Sequence, residues 1–398
     1  MPDLSRRKLL GLGAAFPALR SLEAAVKPVR IRDVDIFAIR IPITRAESEA
    51  GLYNSYGVVK VVTDAGVTGY SFAGPPSREL PVVKQLLAGK DLFAVDRHLR
   101  EGLGRFGGVE HAVWDAIGKI AGQPVYRLLG GASDRVRAYI TCVWKGNADQ
   151  SQVPYRDQVE QALRVRKAGF HGMKIRAWRP DPMGDVEVAR EIMAATGKGF
   201  HLMFDRTAHA PVDMAGQKIW DFETGLKVAR GLQAAGAYWL EEPFARDDYE
   251  TPARLAAAVD LLITGGEGYT SLEPFRQCLL RRTYDVVQPD GRNAGGIFMC
   301  RKTAMLAESF HVPCILHGTM SLMLAGWLQA TLAIGCPWQE VALVTPPLLP
   351  AEQWEPALKV LRGKTLFDVR DGYLLAPPYP GLGLDIDEDA LEKYRIKS

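Results

Sequence analysis

The sequence predicts an α/β protein: a (β/α)8-type barrel with a small α+β capping domain built from the N-terminal region and the C-terminal tail. Three observations carry this. From Val136 onward, short apolar runs of strand length alternate with amphipathic stretches of helical length. The runs end abruptly in polar or charged residues, most plainly in AYWLEEPF (237–244), where one of the two adjacent acids is expected to point into a site. A single Glu-Glu-Pro is also an ordinary solvated strand exit, but here the pattern recurs. From Lys174 through Asp205, Glu241, Glu267, Asp290, His317 and Glu340 the steps are 31, 36, 26, 23, 27 and 23 residues, each about one strand-helix unit.

A length of 398 residues suits a barrel with an accessory domain, and 47% hydrophobic with 24% charged residues is ordinary for a globular enzyme. The net charge of +3 is too small and too evenly spread for a nucleic-acid partner. No apolar run approaches the roughly 18 residues of a membrane span, so none is expected in the mature chain.

Residues 1–25 differ from the rest. Ser5-Arg6-Arg7-Lys8-Leu9-Leu10 precedes a Gly/Ala-rich apolar run, as in a twin-arginine signal peptide. This implies a periplasmic protein, or a cytoplasmic one if the leader is not functional. Cleavage is expected near Ala24 or Ala25, although Leu22 and Glu23 make a poor site. The five cysteines, Cys142, Cys278, Cys300, Cys314 and Cys336, are odd in number and lack CxxC spacing; buried thiols are expected, with a disulfide among them left open.

Residues 27–133 read as the capping domain. Strands are expected over 29–43 and 57–71, the second broken by the hairpin turn Thr63-Asp64-Ala65-Gly66. The polar, aperiodic stretch 44–56 between them reads as a functional loop, with Tyr53 a candidate to touch substrate. Helices follow at 79–89 and 108–121, the latter with Val109, Ala112, Val113, Ala116, Ile117 and Ile120 on one face. His111 lies beside that stripe and reads as structural.

The barrel is expected over 136–343. Its strand ends fall at 138–143, 172–175, 201–204, 237–240, 261–264, 284–288, 312–316 and 338–341, with helices such as 155–168, 185–196, 222–235, 252–259 and 298–310 between them. The tail, 344–398, has seven prolines before Gly381, so it should not extend the barrel pattern but pack on the N-terminal domain. The C-terminal ends of barrel strands converge on one mouth. Lys174, Arg176, Asp205, Glu241, Glu267, Asp290, His317 and Glu340 should therefore share a cavity, and His201, at the start of its strand, should lie at the other end.

With MKIR, FDRT, WLEEPF, GGEGY, QPDGRNAGG, ILHGT and WQEV in this order, the chain resembles the enolase superfamily in its mandelate racemase subgroup. The resemblance covers nearly everything after the leader and implies a modified, enolase-like TIM barrel. It makes Asp205, Glu241 and Glu267 the metal ligands; three carboxylates suit Mg²⁺, one per subunit, better than zinc. It makes His317 the general base, oriented by Asp290. By the same resemblance Lys174 neutralises the substrate carboxylate, Glu340 hydrogen-bonds the developing enediolate, and 44–56 closes over the mouth. Relatives often form homo-oligomers.

The chain departs from the family at two places. Arg176 stands where many relatives have a lysine base; a guanidinium stays protonated, so it should bind oxygens rather than accept protons. Asp205-Arg206-Thr207 replaces a pattern that often carries Asn, and His209 in the same loop is a candidate second acid. A lysine on the sixth strand, as in cycloisomerase and dipeptide-epimerase relatives, is missing. The expected activity is a Mg²⁺-dependent dehydratase of a small hydroxylated carboxylate, most simply a sugar acid. The alternatives are a racemase or epimerase of a hydroxy acid using the same site, and an exported, non-catalytic acid-binding protein.

Overall fold

The computed structural model describes residues 28–49, 51–131, 133–143, 153–208, 212, 216–343 and 349–397. The leader, 1–25, and His209 lie outside the described residues.

Two sheets order the chain. The first is antiparallel, β1 (Ile31–Arg40), β2 (Ser55–Thr63) and β3 (Thr68–Ser71), with Val34 paired to Val61 and Val59 to Ser71. The turn between β2 and β3 is the expected hairpin, closed by the Thr63 N–H on the Val67 carbonyl at 3.0 Å. The stretch 44–56, read from sequence as a loop, contains a short helix, α1 (Arg45–Glu49). Its start is a capping box: Glu47 accepts from the Thr44 N–H at 2.5 Å and Thr44 Oγ1 accepts from the Glu47 N–H at 3.2 Å. Aperiodic polar composition hides a helix that short, because it buries no residue.

Next come α2 (Leu80–Leu87), α3 (Val95–Arg100), α4 (Gly107–Ala121) and α5 (Val125–Leu128). The apolar stripe of α4, Val109, Ala112, Val113, Ala116 and Ile117, is buried against β2 and β3. The approach is close: a Cβ on Gly69 of β3 would come within 2.1 Å of the Ala112 carbonyl oxygen.

The second sheet is the barrel. Its parallel strands are β4 (Arg135–Cys142), β5 (Gly172–Arg176), β6 (His201–Asp205), β7 (Trp239–Glu241), β8 (Leu262–Gly265), β9 (Val286–Val287) and β10 (Trp338–Leu343). The helices between them are α6 (Tyr155–Lys167), α7 (Met183–Thr196), α8 (Phe222–Ala235), α9 (Glu250–Ala256), α10 (Leu272–Arg281), α11 (Ile297–Glu308) and α12 (Leu324–Ile334). β10 pairs with β4 and closes the wall. The strand expected at 312–316 is instead an extended segment held by single parallel bridges, Val287 to Cys314, Asp290 to His317 and Thr319 to Val341. Pro289 and Pro313 offer no N–H, so a continuous ladder cannot form there.

The tail supplies α13 (Pro350–Trp354), β11 (Val369–Arg370), β12 (Tyr373–Leu375) and α14 (Glu388–Lys393). It does pack on the capping sheet, with Arg395 on Asp35 at 2.9 Å and Glu388 on Lys60 at 3.2 Å. It also does what its prolines argued against: β12 pairs antiparallel with the first half of β4, extending the barrel sheet at its N-terminal end. The tail's prolines flank this three-residue strand and leave its pairing N–H groups intact.

Candidate active site

Side chains alternate in and out along each barrel strand. Tyr139, Met203, Trp239, Val286, Ile315 and Trp338 form one buried cluster drawn from six positions of the wall. Two residues further along five of those runs stand Thr141, Asp205, Glu241, His317 and Glu340, one layer nearer the mouth. An aromatic and aliphatic floor thus underlies a charged layer, a low-polarity setting that strengthens every interaction above it.

One carboxylate oxygen from each of Asp205, Glu241 and Glu267 lies within 4.8 Å of the others, so the three can share one ion. Asp205 and Glu241 end neighbouring strands in direct register. Glu267 follows Gly265-Gly266, where Gly266 takes φ of +111°, a turn that only glycine makes without strain and that re-aims the chain toward the mouth. Oε1 of Glu241 is buried with no hydrogen-bond partner. Three hard oxygen donors, one of them orphaned, fit a Mg²⁺ ion. Burial and the charge of Asp205 push the pKa of Glu241 up to about 8; Asp205, also buried, is held below the usual carboxylate range by Arg176 and Lys174.

The second acid of Glu241-Glu242 turns away. Glu242, with φ of +42°, accepts from Arg246 Nε at 2.6 Å and from the Gly266 N–H at 3.2 Å. The same Arg246 guanidinium bonds Glu267, so one arginine braces the ligand turn from behind.

Lys174 is buried beneath the acids, with Nζ 2.7 Å from Glu241, 2.9 Å from Glu340 and 3.6 Å from Asp205. It remains charged, since those carboxylates outweigh the cost of burying its ammonium. Glu340 lies on the other side of Lys174 from Glu241 and Asp205 in its set of ion pairs. It accepts from Tyr139 OH (3.0 Å), Thr141 Oγ1 (2.5 Å), the Gly318 N–H (2.8 Å) and Lys174. With four donors aimed at it, Glu340 is held as a carboxylate beside Lys174, its charge favoured by that ammonium against the cost of burial.

Arg176 bonds Asp205 and donates to Thr207 Oγ1 at 2.9 Å, while its Nε is buried with no partner. It stays a cation, because Asp205 and its neighbours outweigh burial. His317 Nδ1 lies 2.9 Å from Asp290 Oδ2, and Nε2 lies 3.0 Å from Glu267 Oε2. Burial opposes a charge on this imidazole, but Glu267 and Asp290 lift its pKa to about 10.

Seven of the eight charged residues read from the strand ends therefore meet in one layer, and Asp290 stands behind His317. Tyr53 is exposed, its ring edge-on to Tyr56 at 5.2 Å, and no described contact joins it to the acids. His201 stacks against Tyr238 and Trp338 at the opposite end of β6 from Asp205. All five cysteines are buried free thiols. Sequence reasoning missed Thr141, Thr207 and Arg246; the last stands two residues after WLEEPF, within reach of a search for a basic partner to the paired acids. It also missed Gln288, two residues before Asp290, whose amide is fully buried without a partner.

The family described as enolase C-terminal domain-like matches residues 157–390. Arabinonate dehydratase of Saccharolobus solfataricus is 31% identical over 293 residues, 73% of this chain and 72% of that protein. D-galactonate dehydratase of Ralstonia pickettii is 29% identical over 352 residues, 83% of this chain and 88% of that one. Among solved structures, D-glucarate dehydratase from Agrobacterium tumefaciens complexed with magnesium superposes with a TM-score of 0.75 at 26% identity, covering 92% of this chain and 99% of that chain.

Proposed function

The chain belongs to the enolase C-terminal domain-like family, and from that membership and the geometry of the mouth we propose that it is a Mg²⁺-dependent dehydratase of a sugar acid. The observation that carries the reading is the imidazole of His317, backed by Asp290 and set against an acid cluster with an unpartnered oxygen. Asp205, Glu241 and Glu267 would hold Mg²⁺, one per subunit, which when bound supplies positive charge to the substrate carboxylate and acidifies its α-proton. Asp290 accepts from Nδ1–H of His317 and thereby fixes the tautomer; with Mg²⁺ on Glu267 the carboxylate charge that holds the imidazole protonated would be offset, leaving Nε2 to take the α-proton. Lys174 and Arg176 keep two further positive charges at the layer where the enediolate's charge develops. Departure of the β-hydroxyl and tautomerisation of the enol then give a 2-keto acid.

Arg176 favours elimination over racemisation. Inversion needs a second base opposite His317, and a guanidinium that stays protonated cannot serve. The test is a screen of sugar acids with Mg²⁺ for 2-keto acid formation. Exchange of the α-proton for deuterium with inversion and no keto acid would replace this reading with an epimerase; ligand binding without either reaction would replace it with a binding protein.

The leader motif supports export to the periplasm by the twin-arginine route, with cleavage near Ala24 or Ala25, and the family resemblance supports a homo-oligomer. Both are proposed on those grounds, as is a division into a capping domain (27–133), a barrel (136–343) and a tail (344–398). No described helix is long and apolar enough to cross a membrane.

A further inference from the structure

The loop that carries Asp290 is gripped at both ends by two consecutive residues of the capping domain. His111 of α4 is buried, and its Nε2 lies 2.9 Å from the carbonyl oxygen of Gly291, the residue after Asp290. Burial pushes its pKa down to about 4, so the ring is neutral near pH 7; facing a carbonyl, Nε2 carries the hydrogen and donates it. The ring stands edge-on to Trp327 of α12, with centroids 5.1 Å apart. Room for it comes from Gly326, where a Cβ would fall 2.2 Å from Nδ1 of the imidazole. Gly291 in turn is pressed on Trp327, where a Cβ would come within 2.8 Å of the indole. At the far end of the loop, Glu110 accepts from the N–H groups of Ile297 (2.9 Å) and Phe298 (3.0 Å), the first turn of α11. Trp114 Nε1 holds that carboxylate at 2.7 Å.

Inside this grip, Asp290 Oδ1 receives the N–H groups of Arg292 (2.9 Å) and Asn293 (2.7 Å), which leaves Oδ2 for His317. The direction of Oδ2 therefore depends on where the Gly291–Arg292 peptide sits, because its N–H binds Oδ1 and its carbonyl is the one His111 holds. We propose that His111 is a positioning residue for the proton-abstracting pair: by holding the Gly291 carbonyl from the capping domain, it fixes the Gly291–Arg292 peptide, whose N–H holds Asp290 Oδ1 and so aims Oδ2 at His317. The proposal rests on the reading of His317 as the base. A core histidine kept only for packing would be replaceable by any side chain of its volume. This one spends its polar atom on the residue next to Asp290, and its neighbour in sequence fastens the other end of the same loop.

The experiment compares H111F, which fills the space without a donor, with H111Q, whose amide nitrogen reaches about as far as Nε2. In H111F, kcat should fall roughly tenfold to a hundredfold with KM unchanged, the mark of lost orientation rather than lost binding, and H111Q should restore most of it. Nitrogen-15 spectra of the histidine side chains give a readout independent of turnover. The Nδ1 resonance of His317, assigned by its disappearance in H317N, should shift in H111F and return in H111Q. If H111F folds with unchanged kcat and an unmoved His317 resonance, the proposal is overturned. The unmodified protein decides even if H111F does not accumulate: His111 must appear as the Nε2–H tautomer, and the Nδ1–H tautomer or a charged ring overturns the proposal. Should no acid be turned over, the function reading falls while the His317 resonance still decides the positioning.

Discussion

His317 Nε2 lies 3.0 Å from Glu267 Oε2, so the nitrogen expected to take the substrate's proton faces a carboxylate expected to hold the cation. Base and metal site share one opening, and a carboxylate substrate seated on the cation would present its α-carbon to the imidazole.

Replacing His317 by Asn should therefore separate chemistry from binding. A general base contributes roughly 10² to 10⁴-fold, and kcat should fall by that amount. Mg²⁺ binding, measured by calorimetry, should persist, because none of the three ligand side chains is altered. Turnover by H317N at the unmodified rate would remove the imidazole from the mechanism.

The unpartnered oxygen of Glu241 predicts a stability readout for the cation itself. Mg²⁺ at a hundred times its dissociation constant should stabilise the protein by about 2.7 kcal/mol, seen as a rise of several degrees in Tm. Chelation should abolish activity and added Mg²⁺ restore it. E241Q should lose both the activity and most of the Tm shift. An unmodified protein whose Tm ignores millimolar Mg²⁺ would contradict the assignment of Asp205, Glu241 and Glu267 as ligands.

Glu110 predicts a pH dependence of folding. Burial, offset in part by the N–H groups of Phe298 and Ile297 and by Trp114, raises its pKa from the ordinary 4.5 to about 7. The folded chain holds this proton more tightly than the unfolded one. Its contribution to stability is complete below the unfolded value and is lost as pH rises through about 7. The shift corresponds to roughly 3 kcal/mol. Urea unfolding of the unmodified protein and E110Q at about pH 5 and about pH 8 isolates it, because other groups titrate alike in both. The unmodified protein should lose up to about 3 kcal/mol relative to E110Q over that range, and a constant difference would show that Glu110 does not titrate there.

Much of this site was legible because barrel chemistry sits at strand ends. Asp205 and Glu241 each follow an apolar run by one step, and a (β/α)8 wall brings such positions together wherever they lie in sequence. What escaped was of two kinds. Elements without contrast left no period to read, as in α12, which buries ten of its eleven residues; the stave expected at 312–316 is there, but as single bridges, because Pro289 and Pro313 interrupt its pairing. Contacts between distant units left no local mark: Thr141 meets Glu340 across 199 residues, and His111 meets Gly291 across 180. The stripe of α4 made His111 look structural, and the carbonyl its ring meets, on Gly291, lies too far along the sequence to leave a sign beside it.

Arg176 gives the sharpest test of reaction type. Its guanidinium bonds Asp205 and Thr207 and leaves Nε without a partner, an arrangement suited to binding an oxygen and not to accepting a proton. R176K keeps the positive charge but removes the fork, so kcat/KM for dehydration should fall roughly tenfold to a hundredfold. A lysine amine, unlike a guanidinium, can lose its proton once Mg²⁺ offsets the acids that hold this layer's cations charged, and could then accept a proton from the face opposite His317. Substrate recovered from R176K in D₂O should then carry more deuterium at the α-carbon than substrate recovered from the unmodified enzyme, part of it with inverted configuration. If the unmodified enzyme already inverts its substrate, Arg176 does not exclude a second base, and the choice of elimination over epimerisation loses its structural ground.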